Sequence, residues 1–317
     1  MTSTPRLTAT SGLGQCDLWD GLRAPTRGYP IARPVLPRII RSTADLRHDI
    51  EAGLRAGALH RVGRGLVARG STAEDPELEG IAAMAHRLSG PFVVSHRSAA
   101  RLLGLWLPPW DGYLHVTRSI RADHRACLDH RLVRHSGRVP PEDIRISGDL
   151  LVTSIERTVV DCARSMPVWA SLPLVDSALL LGARRILLDA ALARAAGARG
   201  VRRARTMIAA GTGRIGSPYE SRVRGAVLAA GMPPPQTLIE VSTAHGDFEI
   251  DLGWERIRLG IEAHGRGKYG NGADPVAEAI RREALFAHGW AIIDVRTGRP
   301  VEDYLPRIAG ELRRRGL

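Results

Sequence analysis

Three consecutive prolines, Pro233-Pro234-Pro235, do most to limit what the last hundred residues can become. Proline has no backbone N–H and its ring clashes with the preceding turn, so no helix runs through them. The segment before them opens with Ser217-Pro218-Tyr219-Glu220 and continues through Val223, Val227 and Leu228. A serine followed by proline at the first helical position and an acid two residues later marks a helix start. Beyond the prolines the pattern changes to strands, expected at 236–241, 247–253 and 257–263. A glycine-rich loop follows over 265–272, then a helix over 274–288. A buried strand, Trp290-Ala291-Ile292-Ile293-Asp294-Val295, precedes a last helix over 300–315 that ends in Arg313-Arg314-Arg315. The order α-β-β-β-α-β-α predicts an α/β domain over 217–317.

At 317 residues the chain has room for roughly two domains, each with its own core. Residues 1–37 are rich in Thr, Ser, Gly and Pro and are expected to form a disordered or weakly ordered arm. Residues 38–70 read as a short helix followed by a hairpin. Ser42-Thr43-Ala44-Asp45 offers an N-cap, and Ile50, Leu54 and Leu59 recur at helical spacing. Leu59 to Arg69 then reads as strand, glycine-flanked turn and strand. This is the pattern of a winged helix-turn-helix, and it places Arg47, Arg55, Arg61, Arg64 and Arg69 where phosphates would lie. Residues 71–210 read as an α/β region, with strands at 91–95, 113–117, 131–134 and 150–153 and Ala-, Leu- and Arg-rich helices towards 210. Gly211-Thr212-Gly213-Arg214-Ile215-Gly216 is the clearest linker.

The net charge is +12. Residues 211–317 hold 15 basic against 14 acidic side chains, which leaves +11 to residues 1–210. A grip on a polyanion, most simply double-stranded DNA, is therefore N-terminal, and carboxylate chemistry is C-terminal. The three cysteines, Cys16, Cys127 and Cys162, are scattered and odd in number, which suits a reduced cytoplasmic protein. No apolar run is long enough to span a membrane, and no secretory signal is expected. His124, Cys127, His130 and His135 have a metal-like spacing but lack a second compact pair. Zinc and histidines on a nucleic-acid-binding surface both remain open.

The basic residues are 44 arginines and one lysine, Lys268, in the segment Ile261-Glu262-Ala263-His264-Gly265-Arg266-Gly267-Lys268-Tyr269-Gly270. Arginine is a fixed fork, whereas lysine is a movable point charge. Upstream lies Phe248-Glu249-Ile250-Asp251. Asp251 and Glu262 on neighbouring strands would suit Mg²⁺, which binds through one or two carboxylates, waters and phosphate oxygens. His264 or Lys268 would then orient a water or stabilise developing charge, with Glu220 reaching the metal through water. Each residue also has a structural reading. Glu220 stands at a capping-box position. Asp251 suits a strand-end surface acid. Glu262, at the end of an apolar strand, would be neutralised by Arg281 or Arg282.

At these residues the C-terminal third resembles the very-short-patch-repair-like endonuclease domains of the PD-(D/E)XK superfamily. The resemblance rests on Glu220-Ser221-Arg222-Val223-Arg224, Ile250-Asp251-Leu252-Gly253-Trp254, Ile261-Glu262 with Gly265, Lys268-Tyr269-Gly270, Arg281-Arg282-Glu283 with Leu285, and Gly289-Trp290. It implies a restriction-endonuclease-like αβββαβα core, with Asp251 and Glu262 as Mg²⁺ ligands and Glu220 as an accessory acid. His264 occupies the slot that E-x-K gives to lysine.

Residues 38–190 resemble the AbiEi antitoxins of type IV toxin–antitoxin systems. The matching segments are Val62-Gly63-Arg64-Gly65-Leu66-Val67, Ser95-His96-Arg97-Ser98-Ala99-Ala100-Arg101-Leu102-Leu103-Gly104-Leu105, Leu114-His115-Val116-Thr117, and Thr153-Ser154-Ile155-Glu156-Arg157-Thr158-Val159-Val160-Asp161. This resemblance implies a transcriptional repressor that binds promoter DNA through a winged helix, with a cognate toxin as a candidate partner. Two functions follow as expectations. One is a DNA-binding regulator carrying a catalytically degenerate endonuclease-like domain. The other is an active Mg²⁺-dependent endodeoxyribonuclease targeted by its basic half.

Overall fold

The computed structural model describes residues 34–70, 72–118, 131–264 and 275–317. Lys268, the 265–272 loop, His124, Cys127, His130 and most of the expected N-terminal arm lie outside the described residues. The described chain is mixed α/β, with three sheets, and divides into two compact units. One runs to Cys162 and takes in Ile186–Ala195. The other holds Ala163–Arg185 and Ala196–Leu317.

The first unit begins with β1 (Ile40–Arg41), α1 (Arg47–Arg55), β2 (Leu59–Gly63) and β3 (Leu66–Arg69), whose strands form an antiparallel sheet in the order β1-β3-β2. Leu66, Val67 and Ala68 are buried, whereas α1 buries only Ile50. Gly53 allows close packing, since a Cβ there would lie 2.7 Å from Leu59 Cδ1. Helix α1 precedes this hairpin, and α2 (Pro76–Arg87) packs on β2 through His60–Glu79 and Arg87–Val62.

Next comes α2 (Pro76–Arg87), capped by Asp75, whose carboxylate accepts the Leu78 N–H at 2.9 Å. Then follow β4 (Val93–Val94), α3 (His96–Leu102), β5 (Leu114–Arg118), β6 (Leu132–Ser136), β7 (Ile144–Ser147), β8 (Leu150–Thr153) and α4 (Ile155–Ser165). The five strands form one mixed sheet in the order β6-β5-β4-β8-β7. Strand β7 was not expected from the pattern. It is formed by a tight hairpin at Gly148, whose φ of 57° suits glycine. The Thr153–Asp161 motif has a structural use: Arg157 bonds Asp161 at 2.7 Å and buried Asp143 at 3.4 Å, and Arg194 pairs with Asp143 as well.

The remaining elements are α5 (Val168–Leu180), α6 (Arg185–Arg194), α7 (Val201–Ala210), α8 (Pro218–Ala229), β9 (Gln236–Thr243), β10 (Gly246–Trp254), β11 (Leu259–His264), α9 (Pro275–Ala287), β12 (Ala291–Arg296) and α10 (Leu305–Arg314). Helix α6 belongs mostly to the first unit. The sheet order is β12-β11-β10-β9, antiparallel except for the β11–β12 pair. Ile239, Val241, Ile250, Leu285 and Trp290 form a core between this sheet and α9. The Gly211–Gly216 stretch does not separate the two units. It is packed into the second one, where Thr212 N–H donates to the fully buried Asp176 at 2.6 Å and a Cβ on Gly211 would strike Val175. Ser221 of α8 also donates to Asp176, at 2.5 Å, and ties α8 to α5.

Candidate functional site

The second sheet brings the predicted acids onto adjacent strands. Asp251 of β10, Glu262 of β11 and His264 of β11 are 8%, 2% and 8% exposed. Asp251 accepts the Ala263 N–H at 2.8 Å, so it bridges from its own strand to the residue after Glu262. Glu262 pairs with Arg281 of α9, whose guanidinium also donates to the Glu249 carbonyl at 2.9 Å. His264 Nε2 bonds Asp294 of β12 at 2.7 Å. Arg282 reaches Asp294 at 3.6 Å and Glu278 at 2.8 Å. The result is a chain of alternating charge that ties α9 to β11 and β12. Asp294 is a member that the spacing of the motif residues did not single out, because only the parallel β11–β12 pairing brings it beside His264.

A buried carboxylate needs compensating charge. Arg281 supplies it at Glu262. No group of three or more His, Cys, Asp or Glu side chains suited to a metal ion occurs among the described residues. Glu220 is not gathered into this cluster by any described bond. Its carboxylate accepts the Gly216 N–H at 2.7 Å and the Ser217 hydroxyl at 2.8 Å, while Ser217 Oγ accepts the Glu220 N–H at 3.2 Å. That is a variant of the capping box at the start of α8, with the acid accepting the N–H of Gly216, the residue before the N-cap, and not that of Ser217.

In the first unit, Arg47 and Arg55 lie on α1, Arg61 on β2, Arg64 in the hairpin turn and Arg69 on β3, and all five are exposed. None pairs with a carboxylate among the described residues. Two further features escaped the sequence pattern. Arg41, Arg87 and Arg131 line a cleft behind the hairpin. His135 belongs to a stack of histidines, and His124, Cys127 and His130 lie outside the described residues. The His135 ring lies 3.4 Å from that of His96, centroid to centroid, and its Nε2 is 3.0 Å from His115 Nδ1. Burial lowers the His115 pKa. The three rings stack with interplanar angles of 10–25°. The three histidines come from α3, β5 and β6, and only the sheet order brings them together.

No family model matches this chain. It is 26% identical over 257 residues to the uncharacterized proteins MT2308 and Rv2248 of Mycobacterium tuberculosis strains CDC 1551 / Oshkosh and ATCC 25618 / H37Rv, respectively. The match covers 78% of this chain and 89% of each relative. Among solved structures, the Rv2827c protein of Mycobacterium tuberculosis aligns at a TM-score of 0.37 and 15% identity, over 91% of this chain and 99% of that one.

Proposed function

We propose that this protein is a DNA-binding regulator of the AbiEi antitoxin type whose C-terminal endonuclease-like domain is catalytically degenerate. The observation that carries DNA binding is the set of exposed arginines on α1 and the β2–β3 hairpin, within the half of the chain that holds nearly all the net charge. Exposed guanidinium forks with no carboxylate partner among the described residues suit phosphate oxygens. The reduced winged-helix reading is supported by the short α1 followed by a basic hairpin. Degeneracy is supported by the pairing of Glu262 with Arg281 and by His264 in place of lysine.

The test is duplex binding by fluorescence anisotropy across a salt series. Replacing Arg61, Arg64 and Arg69 by alanine is expected to weaken binding and flatten the salt slope by about 2–3, since each phosphate contact contributes roughly 0.9. Unchanged affinity with an unchanged slope would reject the hairpin as the DNA surface.

An active endonuclease is the second reading, favoured by the burial of Asp251, Glu262 and His264 on adjacent strands. It requires Arg281 to give up Glu262. Plasmid nicking in Mg²⁺ or Mn²⁺ that disappears in Asp251→Ala and Glu262→Ala would establish it. Binding without nicking in either metal supports the degenerate domain.

A further inference from the structure

Strand β2 alternates its side chains, so Arg61 stands in water while its neighbour His60 turns to α2. The His60 side chain is 11% exposed and touches two elements at once. Nε2 lies 2.9 Å from Glu79 Oε2 on α2, and Nδ1 lies 3.0 Å from the carbonyl oxygen of Gly70, just past β3. Glu79 is 7% exposed, and among the described residues His60 is its one ion-pair partner.

Both oxygens are acceptors. A carbonyl has no proton to give, and neither has an ionised carboxylate. Neutral imidazole carries one N–H, so either tautomer sets a nitrogen lone pair against an oxygen lone pair. Imidazolium carries two and satisfies both contacts. Glu79 needs the same proton, because a buried carboxylate without compensating charge is costly.

Besides Glu79, the charged or titratable groups that line the cleft with His60 are Arg41 of β1, Arg61 and Arg64 of the hairpin, His86 and Arg87 of α2, and Arg131 before β6. Helix α1, which meets β2 at Leu59 through Gly53, contributes none, and across the strand pair His60 faces Ala68. Cations in the lining oppose a further positive charge. The hydrogen bond to Glu79 nevertheless outweighs burial and, with the Gly70 carbonyl and the Glu79 charge, raises the His60 pKa above its ordinary 6.5.

We propose that His60 is a proton-operated clamp on the β2–β3 hairpin. Protonated, it ties β2 and the chain at Gly70 to α2 through both ring nitrogens. Deprotonated, it gives up one of the two bonds, strands Glu79 as an uncompensated carboxylate and loosens the hairpin from α2. Arginine here would keep the pair charged at every working pH, whereas histidine loses its proton near neutrality. By linkage, the stabilisation is complete below the ordinary histidine value and is lost as pH rises through the folded one. Resting on the reading of the hairpin as the DNA surface, the clamp makes duplex affinity higher on the acid side.

The test uses the full-length protein. Long-range proton–nitrogen spectra follow the histidine titrations, and the His60 signal is the one missing from His60→Gln. Backbone hydrogen exchange over 59–70, corrected for intrinsic rates, is read at about pH 6 and about pH 9. The His60 midpoint is expected above 6.5 in the wild type and lower in Glu79→Gln. Exchange should quicken about tenfold from the acid to the alkaline side, as for loss of one charge-assisted hydrogen bond. The increase should vanish in His60→Gln and shrink in Glu79→Gln. Circular dichroism melts check that each variant folds, and the wild-type titration and exchange decide the matter if one does not. A midpoint at or below the ordinary value, or exchange over 59–70 that ignores pH in the wild type, would overturn the clamp, as would the same pH response in His60→Gln. Duplex anisotropy at fixed salt is compared at the same two pH values. Affinity that falls towards alkaline pH in the wild type but not in His60→Gln supports control of DNA binding by the clamp, and equal pH dependence in both overturns that control. Absence of duplex binding at both pH values rejects the regulator reading, while titration and exchange still decide the clamp.

Discussion

The β2–β3 hairpin and the β10–β12 sheet edge handle charge in opposite ways. The hairpin holds arginine cations in water with no carboxylate partner among the described residues, whereas the sheet edge buries two acids and an imidazole and pairs Glu262 with Arg281 of α9. An exposed guanidinium contributes little to folding and keeps its full capacity for an outside anion. A buried carboxylate must be compensated inside the protein, and the side chain that does so is no longer available to a ligand. The contrast implies that substitutions at the hairpin should alter binding and those at the sheet edge stability.

The largest effect is expected at Arg281. Replacing it by alanine leaves Glu262, 2% exposed, without its charge partner. Breaking a buried pair from one side costs about 3–5 kcal/mol. Urea unfolding of Arg281→Ala, Glu262→Gln and the double variant measures this. The double variant should recover much of the loss, because the stranded charge is then gone. A loss below about 1 kcal/mol in the single variant would break the contrast.

The next effect is a pH dependence at Asp176. Burial pushes its carboxyl up to about 6, against the opposing hydrogen bonds of Ser221 and Thr212 and the nearby cations Arg224 and Arg185. A carboxyl whose pKa is higher folded than unfolded binds its proton more tightly in the native state. Its stabilisation is present below the unfolded value and is lost as pH rises through the folded one. From about pH 4 to about pH 6 this group should therefore remove roughly 2–3 kcal/mol. Asp176→Asn should flatten that slope in denaturant titrations across the window. An unchanged slope would assign the pH dependence elsewhere.

A smaller effect is expected at Glu220, where the capping and catalytic readings part. Glu220→Ala should lower stability by about 0.5–2 kcal/mol, as expected for loss of a helix cap. Glu220→Gln should restore it, since glutamine serves at this position of a capping box. Thermal melts decide between them. A glutamine variant as unstable as the alanine one would show that charge, and not the cap, is at work.

What the sequence made legible follows the same division. The triple proline and the apolar strand runs announced the element order from α8 to α10, and the position of Glu262 at the end of an apolar strand announced its need for a metal or for a base, Arg281 or Arg282. Contacts that depend on strand order were out of reach. Asp294 meets His264 only because β11 and β12 are parallel neighbours, and His96, His115 and His135 stack only because their elements adjoin in one sheet. Local spacing pointed to His124, Cys127, His130 and His135, of which His135 lies among the described residues. The Gly211–Gly216 stretch looked like a linker because composition records flexibility but not the buried acceptor, Asp176, that holds Thr212.

The smallest stability effect is expected at the hairpin itself. Arg61, Arg64 and Arg69 are exposed and form no described ion pair, so their removal should shift unfolding free energy by no more than about 0.5 kcal/mol. The strands beneath them are held by Leu66, Val67 and Ala68, which the triple variant leaves in place. Removing three like charges from one hairpin also relieves their mutual repulsion, so a slight gain at low salt is the expected sign. The measurement is a pair of urea transitions, at low and high salt, on the protein used for the duplex titrations. A loss of several kcal/mol would mean that these arginines hold the fold together, and the opposition between an open cationic surface and a settled acidic interior would fail at its simpler end.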